Sequence, residues 1–136
     1  MSHKAQAIVL SCIDFRFRKD LQNFLEEDLK LNEFDHKTDG GSVKQLITEG
    51  PVSDWILANF EIAFDLHGVQ RIILINHQDC GAYGGSKKFT SFDDELTFQR
   101  DQLNQAVSFL SEKYPDKIIE AYFAQLSEPI NFEKIV

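Results

Sequence analysis

Two nearly continuous apolar runs constrain this chain more than anything else in it, because each ends on one of its only two cysteines. Residues 5–10 (Ala-Gln-Ala-Ile-Val-Leu) run into Ser11 and Cys12. Residues 69–75 (Val-Gln-Arg-Ile-Ile-Leu-Ile) run into Asn76 and His77, with Cys80 three positions on. Short apolar runs with little alternation are the pattern of strands covered on both faces, as in a parallel sheet between layers of helix. Each strand then carries one thiol to its C-terminal end. The second end adds the imidazole of His77; the first adds the carboxylate of Asp14 and the guanidinium of Arg16. Two thiolates and a neutral imidazole are the borderline-soft donors that Zn²⁺ prefers, and three protein ligands leave a fourth position for water or substrate. We read Cys12, His77 and Cys80 as a zinc site. The alternatives are a single disulfide, or two buried structural thiols beside a satisfied histidine.

Between the two runs the hydrophobic period changes. Over residues 18–31, Leu21, Phe24, Leu25, Asp28 and Leu29 share one helical face, with Lys19, Gln22, Glu26 and Glu27 outside. Residues 34–38 form a second strand, ended by Asp39-Gly40-Gly41, where a glycine pair marks a tight turn or a close backbone approach. Pro51 and Ser53 open the next helix with Ser53 as N-cap, and Gly68 closes it. Its inner face is expected to hold Trp55, Ile56, Phe60, Ala63, Phe64 and Leu66. Ser91 or Asp93 caps a long helix to Lys113 with Leu96, Leu103, Val107 and Leu110 on one stripe, and residues 118–126 are a fourth strand. The acidic clusters Glu26-Glu27-Asp28 and Asp93-Asp94-Glu95 are expected to be solvated helix faces or charge at a helix N-terminus. If the backbone stays extended beyond Cys12, then Cys12, Asp14 and Arg16 point one way and Ile13, Phe15 and Phe17 the other.

Strands alternating with helices predict an α/β fold of three layers, a central mostly parallel sheet in the order 2-1-3-4 with helices on both faces. Strands 1 and 3 are then neighbours whose crossovers leave in opposite directions, and ligands bind in the crevice above such a pair. The 136 residues are expected to form one domain, 1–136. A formal charge of -8 argues against nucleic acid or an anionic membrane surface as partner. No apolar stretch approaches the ~20 residues that span a bilayer. The start Met1-Ser2-His3-Lys4 has no apolar h-region, so the expected location is the cytoplasm, where thiols stay reduced.

The residues at the two strand ends resemble the β-class carbonic anhydrases, in particular a short prokaryotic branch of that family. The family carries Cys-x-Asp-x-Arg after its first strand, here Cys12-Ile13-Asp14-Phe15-Arg16, and His-x-x-Cys after its third, here His77-Gln78-Asp79-Cys80 followed by Gly81-Ala82. Gly40-Gly41 lies where the family has an Ala-Gly-Gly-like turn facing the pocket. The similarity covers roughly residues 5–126 and lies mostly in the order of motifs and elements. Asn76 stands where Gly is usual, Phe15 where a small residue is common and Asp39 where Ala is typical, and the chain starts almost at its first strand, without the helical arm that many members wrap around a partner subunit. The resemblance implies reversible hydration of CO2 to bicarbonate by zinc-bound hydroxide. It implies that Asp14 accepts a hydrogen bond from that hydroxide with Arg16 orienting it, or, in a closed form, that Asp14 ligates zinc with Arg16 released. It also puts Gly40, Gly41 and Phe15 at the substrate pocket and implies a homodimer or higher homo-oligomer. Hydrolysis of carbon disulfide or carbonyl sulfide on the same site, and a non-catalytic zinc-binding protein, are the alternative readings.

Overall fold

Alternation with period two organises the centre of the molecule. In the computed structural model, which describes residues 3–136, Ile8 and Leu10 of strand β1 (Ala7–Ser11) turn to one face of the sheet and Ala7 and Val9 to the other. Ile72 and Leu74 of β3 (Arg71–His77) join the first face, and Ile73 and Ile75 the second. All eight side chains are at most 3% exposed. A strand with both faces covered must be apolar on both, which is why these runs lack the polar alternation of a half-exposed strand.

The sheet has five strands in the order β2-β1-β3-β4-β5, with β2 at Phe34–Thr38, β4 at Ile118–Gln125 and β5 at Asn131–Lys134. Strands β1 to β4 are parallel, and β5 pairs antiparallel with β4. The order expected from the sequence is present, extended by the antiparallel edge strand, whose four residues alternate too little to be seen in the sequence. One face of the sheet is covered by helices α2 (Val43–Ile47), α3 (Pro51–His67) and α4 (Phe92–Lys113), through Leu46, Ile56, Phe60, Leu103, Ala106 and Leu110. The other is covered by Phe17, by Leu21 of α1 (Arg18–Asn23) and by Phe24 and Leu25 of the π-helical turn Phe24–Asp28.

Several local expectations are corrected. The helix expected over residues 18–31 widens after one and a half turns, and the Leu29 N–H bonds to the Phe24 carbonyl five residues back. The N-cap of α3 is Gly50, with Pro51 in the first turn; Ser53 lies inside the helix, where its hydroxyl donates to the Leu46 carbonyl. Trp55 and Leu66 are exposed (59% and 58%), because the buried face of α3 is centred on Ser53, Ile56, Leu57, Phe60 and Ala63. Ser91 does cap α4, accepting the Asp94 N–H, and Gly68 closes α3 in the left-handed region.

Candidate metal centre

The loops that leave β1 and β3 are neighbours because those strands are neighbours. Beyond Ser11 the chain does not stay extended: Asp14 accepts the Arg16 N–H (2.9 Å) and caps a 3-10 turn over Phe15–Phe17. The turn splits the residues expected to share a side. Ile13 and Phe15 are exposed (68% and 83%), whereas Phe17 is buried with its ring 4.7 Å from that of His77. On the other loop, His77 is the last residue of β3 and Cys80 precedes a 3-10 turn over Gly81–Tyr83.

Cys12, His77 and Cys80 converge, each presenting one donor atom within 4.8 Å of the others. The two sulfurs are 3.9 Å apart and no disulfide links them. His77 is 1% exposed, and its Nδ1 lies 2.7 Å from the Gln78 carbonyl, which can only accept. Nδ1 therefore carries the proton and Nε2 the lone pair. That Nε2 is buried and has no hydrogen-bond partner among the described residues. A buried imidazole nitrogen left bare costs desolvation unless something occupies its lone pair.

The electrostatics of the sulfurs point the same way. The hydrogen bond shared between Cys12 and Cys80 and the Gly41 N–H, opposed by burial, lower the Cys12 thiol well below its ordinary pKa. Cys80 is pushed up by that same hydrogen bond and by burial, since losing its proton would set two thiolates side by side. A divalent cation held here would neutralise both sulfurs and take the His77 lone pair. The donor set fits zinc.

Around this centre Asp14 and Arg16 form a close pair. Arg16 Nε donates to both Asp14 carboxylate oxygens (3.1 and 3.0 Å), and Nη2 donates to Oδ2 at 2.6 Å. These bonds hold the Asp14 carboxyl below the usual carboxylate range. Asp14 Oδ2 is 3.7 Å from His77 Nε2, yet Asp14 is not part of the three-donor group. Gly41 approaches the centre by backbone: its N–H donates to Cys12 Sγ at 3.5 Å, its φ is +91°, and a Cβ there would lie 3.0 Å from the Ala82 Cβ. An open pocket of about 360 Å³ reaches the centre through Cys12 and is also lined by Ile13, Asp14, Phe15, Arg16, Gly40, Gly81 and Ala82. Gly41 is not among the lining residues.

The sequence reading missed the groups behind the loop. Glu95 does stand in the first turn of α4, but instead of facing solvent it is 2% exposed; its Oε2 accepts the Asp79 N–H and its Oε1 the Ser86 hydroxyl, both at 2.7 Å. Asn76, in place of a glycine, is 2% exposed and bonds Gln99, Tyr83 and the Val43 N–H. The signal was spacing: Glu95, Gln99, Leu103, Ala106 and Leu110 recur at intervals of three and four along α4, and all are buried. A carboxylate and an amide inside such a stripe mark a buried polar network.

A family described as "Putative carbonic anhydrase" matches residues 2–135. A protein of Rickettsia bellii (strain RML369-C), named only as uncharacterized, is 27% identical over 119 residues, 83% of this chain and 72% of its own length. Among solved structures, a carbonic anhydrase from Streptococcus mutans has a TM-score of 0.67 at 15% identity, covering 100% of this chain and 86% of that one. One from a study of two tetrameric β-carbonic anhydrases of the filamentous ascomycete Sordaria macrospora has a TM-score of 0.64 at 11% identity, covering 97% and 81%. At such identities the shared property is the fold.

Proposed function

Because the chain belongs to this carbonic anhydrase family, we propose that it is a zinc-dependent lyase interconverting CO2 and bicarbonate. The observation that carries the reading is the convergence of Cys12, Cys80 and the bare, buried Nε2 of His77 beside an ionised Asp14. Those three residues would hold the ion. Zinc in such a setting is a Lewis acid that brings the ionisation of water near pH ~7.

The chain's own groups then have distinct tasks. Asp14, kept ionised by Arg16, can only accept, so it orients the hydrogen of an attacking oxygen and leaves a lone pair free for carbon. It is too weak a base, held below the usual carboxylate range, to keep the proton itself. Arg16 fixes the carboxylate plane by donating from Nε to Oδ1 and from Nη2 to Oδ2, which limits its rotation. Ile13, Phe15 and Ala82 give the pocket an apolar wall suited to a small, linear, non-polar electrophile.

Ile13 and Phe15, exposed beside the pocket, support assembly as a homodimer or higher homo-oligomer that covers them; the Sordaria relatives are tetrameric. Two reduced cysteines suit the cytoplasm, and among the described residues no helix is long and apolar enough to cross a membrane. The test is stopped-flow CO2 hydration by zinc-loaded protein against Asp14→Ala, over roughly pH 6.5–9, the range in which such a water ionises. Hydration well above buffer that falls at least tenfold in the variant is the expected result. Zinc-loaded protein with no activity above buffer contradicts the reading.

A further inference from the structure

Arg16 is held from two sides, and only one side is Asp14. Its Nη1 donates to Asp79 Oδ2 and its Nη2 to the Asp79 carbonyl, each at 2.9 Å. Asp79 can offer both acceptors at once because its backbone is in the left-handed region, at φ +57°, a conformation that costs a non-glycine residue about 1 kcal/mol or more. Two further bonds hold that conformation: the Asp79 N–H to buried Glu95, and the Ser86 N–H to Asp79 Oδ1 at 2.7 Å. Asp79 lies between His77 and Cys80, so one loop carries two candidate metal donors and the clasp on Arg16.

Asp14 lacks a second anchor of this kind. Beyond Arg16, its Oδ2 lies 3.7 Å from His77 Nε2, too far for a hydrogen bond. If the guanidinium swings away, the Asp14 carboxylate is left beside the candidate centre with its hydrogen bonds unmade, and an anionic oxygen is a ready ligand for a divalent cation.

We propose that Asp79, acting through Arg16, is the positioning residue that keeps the Asp14 carboxylate on the guanidinium and off the three-donor centre, so that the fourth coordination position stays open to small ligands. The proposal rests on the metal-centre reading above. Asp79→Asn is the sharpest perturbation. Asn tolerates a positive φ, its carbonyl can still accept the Ser86 N–H, and its NH2 then opposes the Arg16 Nη1, donor against donor. Asp79→Gly is the companion variant: it keeps the backbone shape and the carbonyl bond and removes only the carboxylate.

The experiment loads the full chain with Co²⁺ in place of Zn²⁺ and follows its visible absorption while azide is added. The wild-type spectrum is expected to shift on adding azide, which enters the open position. In Asp79→Asn and Asp79→Gly the azide response is expected to be lost or weakened at least tenfold in apparent affinity. It should return when Asp14→Asn is added to either variant, a rescue that a merely structural role for Asp79 does not produce. An Asp79 variant that binds Co²⁺ and responds to azide like the wild type overturns the proposal and leaves the metal centre standing, as does a lost response that Asp14→Asn fails to restore. A wild-type chain that binds no Co²⁺ overturns both.

Discussion

Replacing Glu95 by alanine is the perturbation that best separates a built support from a solvated helix end. Glu95 is 2% exposed and accepts two hydrogen bonds at 2.7 Å, from the Asp79 N–H and the Ser86 hydroxyl. Hydrogen bonds to a charged acceptor contribute about 1.5–3 kcal/mol each, so the gross loss is about 3–6 kcal/mol. Removing a buried carboxylate returns part of this, because its desolvation is no longer opposed to folding. A net cost of about 3 kcal/mol remains. With a urea slope near 2 kcal/mol/M for a domain of this size, the midpoint of unfolding falls by about 1.5 M. Glu95→Gln keeps an oxygen for the Asp79 N–H and an NH2 that the Ser86 hydroxyl can accept, so its cost is about 1 kcal/mol. Zinc affinity is expected to fall about 10–100-fold in the alanine variant, as it does when groups supporting metal ligands are removed. Urea titration followed by circular dichroism reads the first quantity and competition with a chelating dye the second. An alanine variant costing under about 1 kcal/mol, or a glutamine variant costing as much as alanine, refutes the reasoning.

Gly41→Ala is expected to destabilise by about 1–3 kcal/mol, since it combines a φ of +91° with a Cβ 3.0 Å from that of Ala82; thermal unfolding measures it, and an unchanged midpoint counts against the close approach. The Asp14–Arg16 pair sets a pH dependence. Because Arg16 lowers the folded-state pKa of Asp14, the pair's stabilisation is complete above the unfolded value near ~3.9 and is lost as pH falls through the lower folded value. The stability gap between chelator-treated wild type and Asp14→Asn should therefore be flat above pH about 5 and narrow as the pH falls below the unfolded value; a gap that widens on acidification has the wrong sign.

The sheet was legible because β1 and β3 are buried on both faces and announce it in unbroken apolar runs, and because strand–helix alternation leaves few orders to choose from. Gly68 and Ser91 were legible as helix ends through local backbone chemistry alone. What failed depended on contacts distant in sequence. Ser53 has the chemistry of an N-cap, but its hydroxyl is taken by Leu46. Trp55 fits an apolar stripe, yet the sheet selects a neighbouring one. At the site, spacing was enough to bring Cys12, His77 and Cys80 into one group, since neighbouring parallel strands end together. Period-two reasoning misplaced Phe15 and Phe17, because the Asp14 cap bends the chain directly after Cys12. Glu95 and Asp79 were not found, because the loop conformation that makes them partners includes a positive φ that no single residue type in the loop signals.

The central claim is that two sulfurs and one imidazole nitrogen bind a single zinc ion. X-ray absorption at the zinc edge, on protein expressed with zinc and brought to about one ion per chain, tests it most directly. The account predicts two sulfur neighbours at about 2.3 Å together with nitrogen or oxygen at about 2.0–2.2 Å, with one sulfur lost in Cys12→Ser. Protein that carries no zinc, or zinc surrounded by nitrogen and oxygen alone, contradicts it.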